Sequence, residues 1–211
     1  AVQWKSEKKA ALFGETSSLE LLMPVEALRI RGRHNAMNAL AALALIEAVG
    51  LPLGAALQVL KTYGGEAHRV QPVLSVNGIE FIDDSKGTNV GAVKAALEGL
   101  GKSGRRVSII LGGDGKGQDF SPLREPLRSH AAFVALIGKD REKIREALAD
   151  AVPTEEFGTL EEAVDALWAR AVKTGGVLLL SPACASWDMF RDYAERSARF
   201  IAAARRAAGG V

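Results

Sequence analysis

The chain has little of several residue types on which common functions depend. One cysteine among 211 residues excludes an internal disulfide and fits a reducing compartment. With three histidines, no His, Cys and Asp cluster has the spacing of a metal site. Lysine and arginine (27) nearly balance aspartate and glutamate (25), so we expect no nucleic-acid partner. Without a bilayer-length apolar run or a signal-peptide layout, we expect no membrane partner and a soluble cytoplasmic protein.

The chain has an ordinary globular composition, and its first residues resemble the middle of a longer sequence. Hydrophobic residues make up 48% and charged residues 25%, which argues against wholesale disorder. The chain opens with Ala1 rather than methionine, and two predicted helices at 35–49 and 53–63 need a sheet behind them. We therefore expect a fragment of a longer protein. The double glycine at 64–65 predicts a division nearby, with one domain over residues 1–67 and another over 68–211.

The second domain shows alternating strands and helices. Asn77-Gly78 predicts a hairpin, and the alternation that follows it predicts a mostly parallel α/β sheet with helices on both faces. The predicted strands are 71–76, 79–82, 107–111, 132–137, 155–157 and 177–180. The predicted helices are 90–100, a short one capped by Ser121, 141–149, one from Thr159 with Glu162 in a capping box, and 187–208 capped by Ser186. Short strands are expected earlier at 10–13, 19–23 and 28–30.

Three strands of this sheet run into polar or glycine-rich loops. These loops cover residues 83–89, 112–117 and 181–186. Because the carboxyl ends of parallel strands share one edge, where ligands of open sheets bind, the loops are expected to face one cleft. Two lysines, several hydroxyls and tight glycine turns there favour a small, negatively charged substrate.

Each motif also has a plainer interpretation. A polar loop can simply be solvated, and a lysine on a glycine turn can simply face water. The glycine loop is no nucleotide P-loop, because Ile110 stands where such a loop has its first glycine and Gly117 where it has Ser or Thr. Cys184 is expected to be a small buried residue rather than a nucleophile. No G-x-G-x-x-G follows a strand, which disfavours a dinucleotide fold.

Several segments, taken in this order, resemble the Mur ligases. The segments are GRHNAMNALAAL, AHRV, FIDDSKGTNVGA, LGGDGKGQDF and LLSPACASWDMF, which together span about His34 to Phe200. The similarity is greatest to the family member that adds D-glutamate to UDP-N-acetylmuramoyl-L-alanine. Differences from the usual pattern are Glu66-Ala67 in place of Leu-Pro, Gly87 in place of Ala, Trp187 in place of a smaller apolar residue and Tyr193 in place of Phe.

The resemblance implies a three-domain, monomeric enzyme of peptidoglycan precursor synthesis. ATP with Mg²⁺ phosphorylates the substrate carboxylate, and the amine of D-glutamate then attacks the acyl phosphate. Residues 1–67 would be the end of the central ATP-binding domain, without its P-loop, and 68–211 a Rossmann-like amino-acid domain. The implied roles are Lys86 at the transferring phosphate; Thr88, Lys116, Ser186 and Tyr193 on D-glutamate; and Asn35, Asn38, Arg69 and Asp84 on the nucleotide.

Two other functions stay open at this point. One is a related amide ligase that uses another amino acid, and the other is a ligase-like binding module without catalysis. The fragment alone is expected to be inactive and to hold neither ATP nor Mg²⁺, because the main phosphate-binding loop is missing.

Overall fold

The computed structural model describes residues 2–6, 18–30, 33–101 and 104–209. The chain divides into two compact units, Ala1–Gly65 and Glu66–Val211. The predicted strand at 10–13 lies outside the described residues.

The first unit holds a small core of its own. Met23, Leu28, Ala36 and Ala39 are buried together. Its elements are β1 (Val2–Ser6) antiparallel to β2 (Ser18–Met23), a 3-10 helix (Val25–Ala27), α1 (Arg33–Ala48) and α2 (Leu53–Thr62). The predicted strand at 28–30 is wrong, because Leu28 ends the 3-10 helix with its side chain in this core and the next two residues bend away.

The second unit is built on a six-stranded sheet. The strand order is β3-β4-β8-β5-β6-β7, with only the β3–β4 pair antiparallel, so the predicted mostly parallel sheet is confirmed. Asn77 (φ 51°) and Gly78 (φ 77°) make the turn of the β3–β4 hairpin, as their sequence predicts. The strands are β3 (Gln71–Val76), β4 (Ile79–Asp83), β5 (Val107–Gly112), β6 (Ala131–Ile137), β7 (Thr154–Glu156) and β8 (Gly176–Leu180).

Helices cover both faces of this sheet, which confirms the predicted α/β architecture. The helices are α3 (Val90–Gly101), a 3-10 turn (Ser121–Leu123), α4 (Arg124–His130), α5 (Arg141–Leu148), α6 (Leu160–Thr174) and α7 (Tyr193–Ala207). Helices α3, α4 and α5 contribute to one apolar core, whereas α6 and α7 contribute to the other. The strand ends are thereby fixed between two packed layers.

Of the three predicted helix caps, one is confirmed and two are wrong. The capping box of Thr159 and Glu162 at α6 is confirmed. Ser121 is not an N-cap, because it lies inside the 3-10 turn and its hydroxyl donates to the Asp119 carboxylate. The last helix does not begin after Ser186. The Ser186 carbonyl accepts from Phe190 N (2.8 Å) in a separate turn, and Asp192 provides the N-cap of α7.

Candidate functional site

The loops that follow β4, β5 and β8 meet at one edge of the sheet, as the sequence predicts. Ala183 N donates to Gly87 O (2.9 Å), which joins the β8 loop to the β4 loop. Asp114 and Ala185 exchange two backbone hydrogen bonds of 3.0 and 2.8 Å, which join the β5 and β8 loops. The three loops therefore form one continuous rim.

Close backbone packing at this rim depends on a glycine. Gly113 has a φ of 128°, and a Cβ there would collide with the backbone oxygen of Ala185. Beyond it, Lys116 has a φ of 52° and donates its N–H to Asp114 Oδ1 (3.0 Å). That hydrogen bond, with smaller contributions from Lys139, holds the pKa of Asp114 below its ordinary value. The turn that carries Lys116 is thus held by the Asp114 carboxylate through the backbone N–H of residue 116.

Three polar side chains of the rim carry groups that can donate to a ligand, although they differ in exposure. Lys116 is exposed, Thr88 is half-buried and Ser186 is 3% exposed. Within the part of the chain that the structure describes, none of these three side chains makes a hydrogen bond or ion pair. An ammonium group and two hydroxyls suit a carboxylate or phosphate better than a neutral ligand.

Lys86 and Tyr193 lie together beside the rim. Lys86 Nζ is 5.5 Å from the centroid of the Tyr193 ring, and the His68 ring meets the same ring edge-on at 5.8 Å. Lys86 Nζ also lies 3.5 Å from Glu66 Oε2, which accepts from Arg69 Nε at 2.8 Å. The hydrogen bond from Arg69, followed by the charge of Lys86, lowers the pKa of Glu66. Two candidate phosphate-binding cations therefore share one exposed carboxylate.

Asp83 holds the residues beside Lys86 and Tyr193 in place, a role that the sequence analysis does not predict. Its side chain is fully buried, and Oδ2 accepts from Ser197 Oγ (2.6 Å) and lies 2.8 Å from His68 Nδ1. Its Oδ1 accepts from Ser85 N at 2.9 Å. Asp83 therefore fixes both the His68 ring and the start of the β4 loop.

Asp84 is enclosed at the same strand end. Oδ2 accepts from Ser181 Oγ (2.5 Å) and Oδ1 from Val70 N (3.2 Å), and the residue is 5% exposed. Burial raises the pKa of Asp84 to about 6, although the Ser181 hydroxyl opposes this shift. A Cβ at Gly87 would collide with this carboxylate, so glycine at position 87 suits the observed side-chain arrangement. Asp84 remains a predicted nucleotide contact.

Asp84→Asn is expected to change how stability depends on pH. Between the ordinary carboxyl pKa of 3.8 and about 6, the folded chain keeps a proton that the unfolded chain releases. Asp84 therefore lowers stability as the pH rises through this range and contributes no further change above it. Relative to the unmodified chain, the asparagine variant should gain stability from about pH 4 to about pH 6. Denaturant unfolding at several pH values measures this difference.

The matched variant Ser181→Ala removes the hydroxyl that stabilises the Asp84 carboxylate. Its stability loss should therefore continue to a higher pH than in the unmodified chain. A pH-independent difference between Asp84→Asn and the unmodified chain would contradict the assigned titration.

Arg196 was also missed by sequence reasoning. It is fully buried in α7, and burial lowers the pKa of its guanidinium to about 10, which still leaves it charged at neutral pH. Nη2 donates to Ser85 O (2.8 Å), Nε to Ser85 Oγ (3.1 Å) and Nη1 to Cys184 O (3.2 Å). The side chain therefore connects the β4 and β8 loops under the rim.

Cys184 is buried beneath the same loops, as predicted. Burial raises the pKa of its thiol to about 12, with a further contribution from Asp140. We expect alkylation of the native chain to be on the order of 100-fold slower than that of the unfolded chain. Iodoacetamide labelling with and without guanidinium tests this, and equal rates would contradict it.

The predicted nucleotide residues lie in both units. Asn35 and Asn38 belong to α1 of the first unit, whereas Arg69 and Asp84 belong to the second. In the described ranges, no group of three or more His, Cys, Asp or Glu could hold a metal ion. None of the helices in these ranges is long and apolar enough to cross a membrane.

Sequence comparison identifies the family. The model described as "Mur ligase, glutamate ligase domain" matches residues 68–184. The chain therefore belongs to the Mur ligase family. A UDP-N-acetylmuramoylalanine–D-glutamate ligase of Ralstonia nicotianae is 58% identical over 183 residues, which cover 86% of this chain and 36% of that protein. The Burkholderia mallei enzyme of the same name is 54% identical over 187 residues, covering 88% and 36%. The chain spans about a third of the length of these curated relatives.

Solved structures agree on the fold. UDP-N-acetylmuramate-alanine ligase of Thermotoga maritima has a TM-score of 0.62 at 20% identity, covering 83% of this chain and 38% of that one. MurF of Acinetobacter baumannii has a TM-score of 0.62 at 20% identity, covering 88% and 40%. At these identities the likeness establishes the α/β fold alone.

Proposed function

We propose that the chain is the C-terminal part of an ATP-dependent ligase that joins D-glutamate to UDP-N-acetylmuramoyl-L-alanine. The observation that supports this most directly is the rim, where the loops of Thr88, Lys116 and Ser186 are hydrogen-bonded to one another. The named relatives at 54–58% identity supply the substrate class. Residues 1–67 then belong to the central ATP-binding domain and 68–211 to the amino-acid domain, in a monomeric cytoplasmic enzyme of cell-wall synthesis.

The charges of the rim suit the dicarboxylate of D-glutamate. Lys116, Thr88 and Ser186 can donate to its carboxylates, and Tyr193 borders the same loops through the hydrogen bond from Ser85 Oγ to its carbonyl (2.8 Å). Lys86 supplies a cation near the transferring phosphate, where positioned charge carries most of phosphoryl-transfer catalysis. Its partner Glu66 must release it first, which an entering phosphate can achieve because both side chains are partly exposed.

ATP, with Mg²⁺, would transfer its γ-phosphoryl group to the carboxylate of UDP-N-acetylmuramoyl-L-alanine and leave as ADP. The amine of D-glutamate would then displace phosphate from the acyl phosphate and lose a proton. In our proposal the two thirds of the enzyme outside this chain hold the metal and most of the nucleotide, whereas Asn35, Asn38, Arg69 and Asp84 complete the nucleotide site. The isolated chain should then bind D-glutamate weakly, with a Kd on the order of 1 mM or weaker, and should not turn over ATP.

An assay of the full-length protein with alternative amino acids tests this function. We expect ATP-dependent product with D-glutamate and at least about 100-fold less with L-glutamate or D-alanine, since each leaves a polar group of the site unpaired. Preference for another amino acid would favour a related amide ligase. No product with any amino acid would favour a binding module. Micromolar D-glutamate affinity or ATP turnover by the 211-residue chain would contradict the proposal that the rest of the enzyme is needed to hold the metal and most of the nucleotide.

A further inference from the structure

The side chain of Gln118 links two elements that flank its own loop. Its Oε1 accepts from Val90 N, the first residue of α3, at 3.0 Å. Its Nε2 donates to Ala183 O in the β8 loop at 2.6 Å. One amide group therefore connects the β5 loop to the helix that follows Thr88 and to the loop that carries Ser186.

The contact with Ala183 falls on a strained residue. Ala183 is fully buried with a φ of 60°, a conformation that a residue other than glycine keeps only when its surroundings hold it. Its N–H donates to Gly87 O and its carbonyl accepts from Gln118. Both sides of this residue are thus held by the neighbouring loops.

The backbone of Gln118 also closes the turn that carries Lys116. Gln118 N donates to Gly115 O at 3.1 Å, with Lys116 between them. A shift of Gln118 would therefore move the lysine as well as the loops of Thr88 and Ser186.

We propose that Gln118 is a positioning residue that sets the mutual spacing of Thr88, Lys116 and Ser186 for the amino-acid substrate. This inference rests on the proposed function. Only an amide provides an acceptor for Val90 and a donor for Ala183 in one side chain of this length. Glutamate keeps the acceptor and loses the donor, whereas methionine loses both at similar volume.

Hydrogen exchange of the 211-residue chain tests the two side-chain hydrogen bonds of Gln118 without any ligand. In Gln118→Met, the Val90 amide loses its acceptor and should exchange roughly fivefold to tenfold faster. The Ala183 amide donates to Gly87 O, and it should also exchange faster because the carbonyl of the same strained residue is no longer held. In Gln118→Glu, Val90 keeps its acceptor, so only the Ala183 amide should exchange faster. Gln58→Met, on the exposed surface of α2, is the matched control and should leave both rates unchanged. Unchanged exchange rates of Val90 and Ala183 in Gln118→Met would show that the Gln118 side chain does not hold these two segments.

Kinetics of the full-length protein test the positioning role. Gln118→Met should raise the KM for D-glutamate roughly tenfold with little change in the KM for ATP. Gln118→Glu should raise it at least as much, because its carboxylate cannot donate to Ala183 O and adds a negative charge beside the dicarboxylate site. A faster exchange with an unchanged D-glutamate KM would overturn the positioning role and leave a structural contact. If Gln118→Met does not fold, Gln118→Glu replaces it: the Ala183 exchange rate then tests the hydrogen bond, and the KM for D-glutamate tests the positioning role.

Failure of the proposed function has a different signature. If Lys116→Ala leaves D-glutamate kinetics unchanged, the ligand assignment fails, whereas the exchange rates of Val90 and Ala183 still report on Gln118. The two hypotheses are therefore separated by different variants and different measurements.

Discussion

Replacing Lys116 by alanine should raise the KM for D-glutamate roughly 10- to 100-fold in the full-length protein, with little change for ATP. A hydrogen bond between an ammonium group and a carboxylate contributes about 1.5–3 kcal/mol, which corresponds to this range. The backbone of the turn should persist, because Asp114 Oδ1 accepts from the backbone N–H of residue 116, which alanine retains. Steady-state kinetics with each substrate varied in turn measure the effect.

Lys173→Ala is the matched control for this prediction. Lys173 is exposed near the end of α6, just before β8 begins, and so lies at the opposite edge of the sheet from the rim. It removes the same charge without touching the three loops, and its kinetics should match those of the unmodified enzyme. Equal effects of both variants would mean that net charge, rather than a contact at residue 116, governs D-glutamate binding.

Arg196→Met should lower the free energy of unfolding by about 3 kcal/mol. Methionine fills a similar volume but leaves Ser85 O, Ser85 Oγ and Cys184 O without their donor. Each buried unsatisfied acceptor costs about 1 kcal/mol or more. Relief of the buried charge offsets part of this cost, but it cannot restore three hydrogen bonds. Denaturant unfolding of the 211-residue chain gives the change.

The control for Arg196 lies nine residues further along the same helix. Arg205 is exposed in the last turn of α7, and its replacement by alanine should change stability by less than about 0.5 kcal/mol. If Arg196→Met is as stable as Arg205→Ala, the buried guanidinium does not hold the two loops together.

Local sequence signals predict most of the second unit. The hairpin follows from Asn77-Gly78, the start of α6 from Thr159 and Glu162, and the parallel sheet from the alternation of strands and helices. These signals succeed because each depends on residues that are neighbours in the sequence. The start of α7 could not be predicted in this way, because a turn at Ser186 and the cap at Asp192 compete for the same segment. Trp187, the first residue of the predicted helix, lies instead in the preceding turn and is 71% exposed.

The place of the candidate site was predictable, but the residues that support it were not. Loops after parallel strands share an edge, so the rim follows from topology. Arg196 and Gln118, by contrast, act across 111 and 65 residues of sequence, and nothing in their local pattern distinguishes them from surface side chains. Asp83 lies in the loop over residues 83–89, where the predicted roles fall on its neighbours, and its buried role depends on Ser197 and His68. Such support emerges only when distant segments pack together.

The most direct test of the shared rim is an NMR titration of the 211-residue chain with D-glutamate. We expect the backbone amides of Thr88, Lys116 and Ser186 to shift together and to fit one Kd on the order of 1 mM or weaker, with smaller effects from L-glutamate. Shifts confined to one of the three loops, or different Kd values for each, would contradict a single dicarboxylate site.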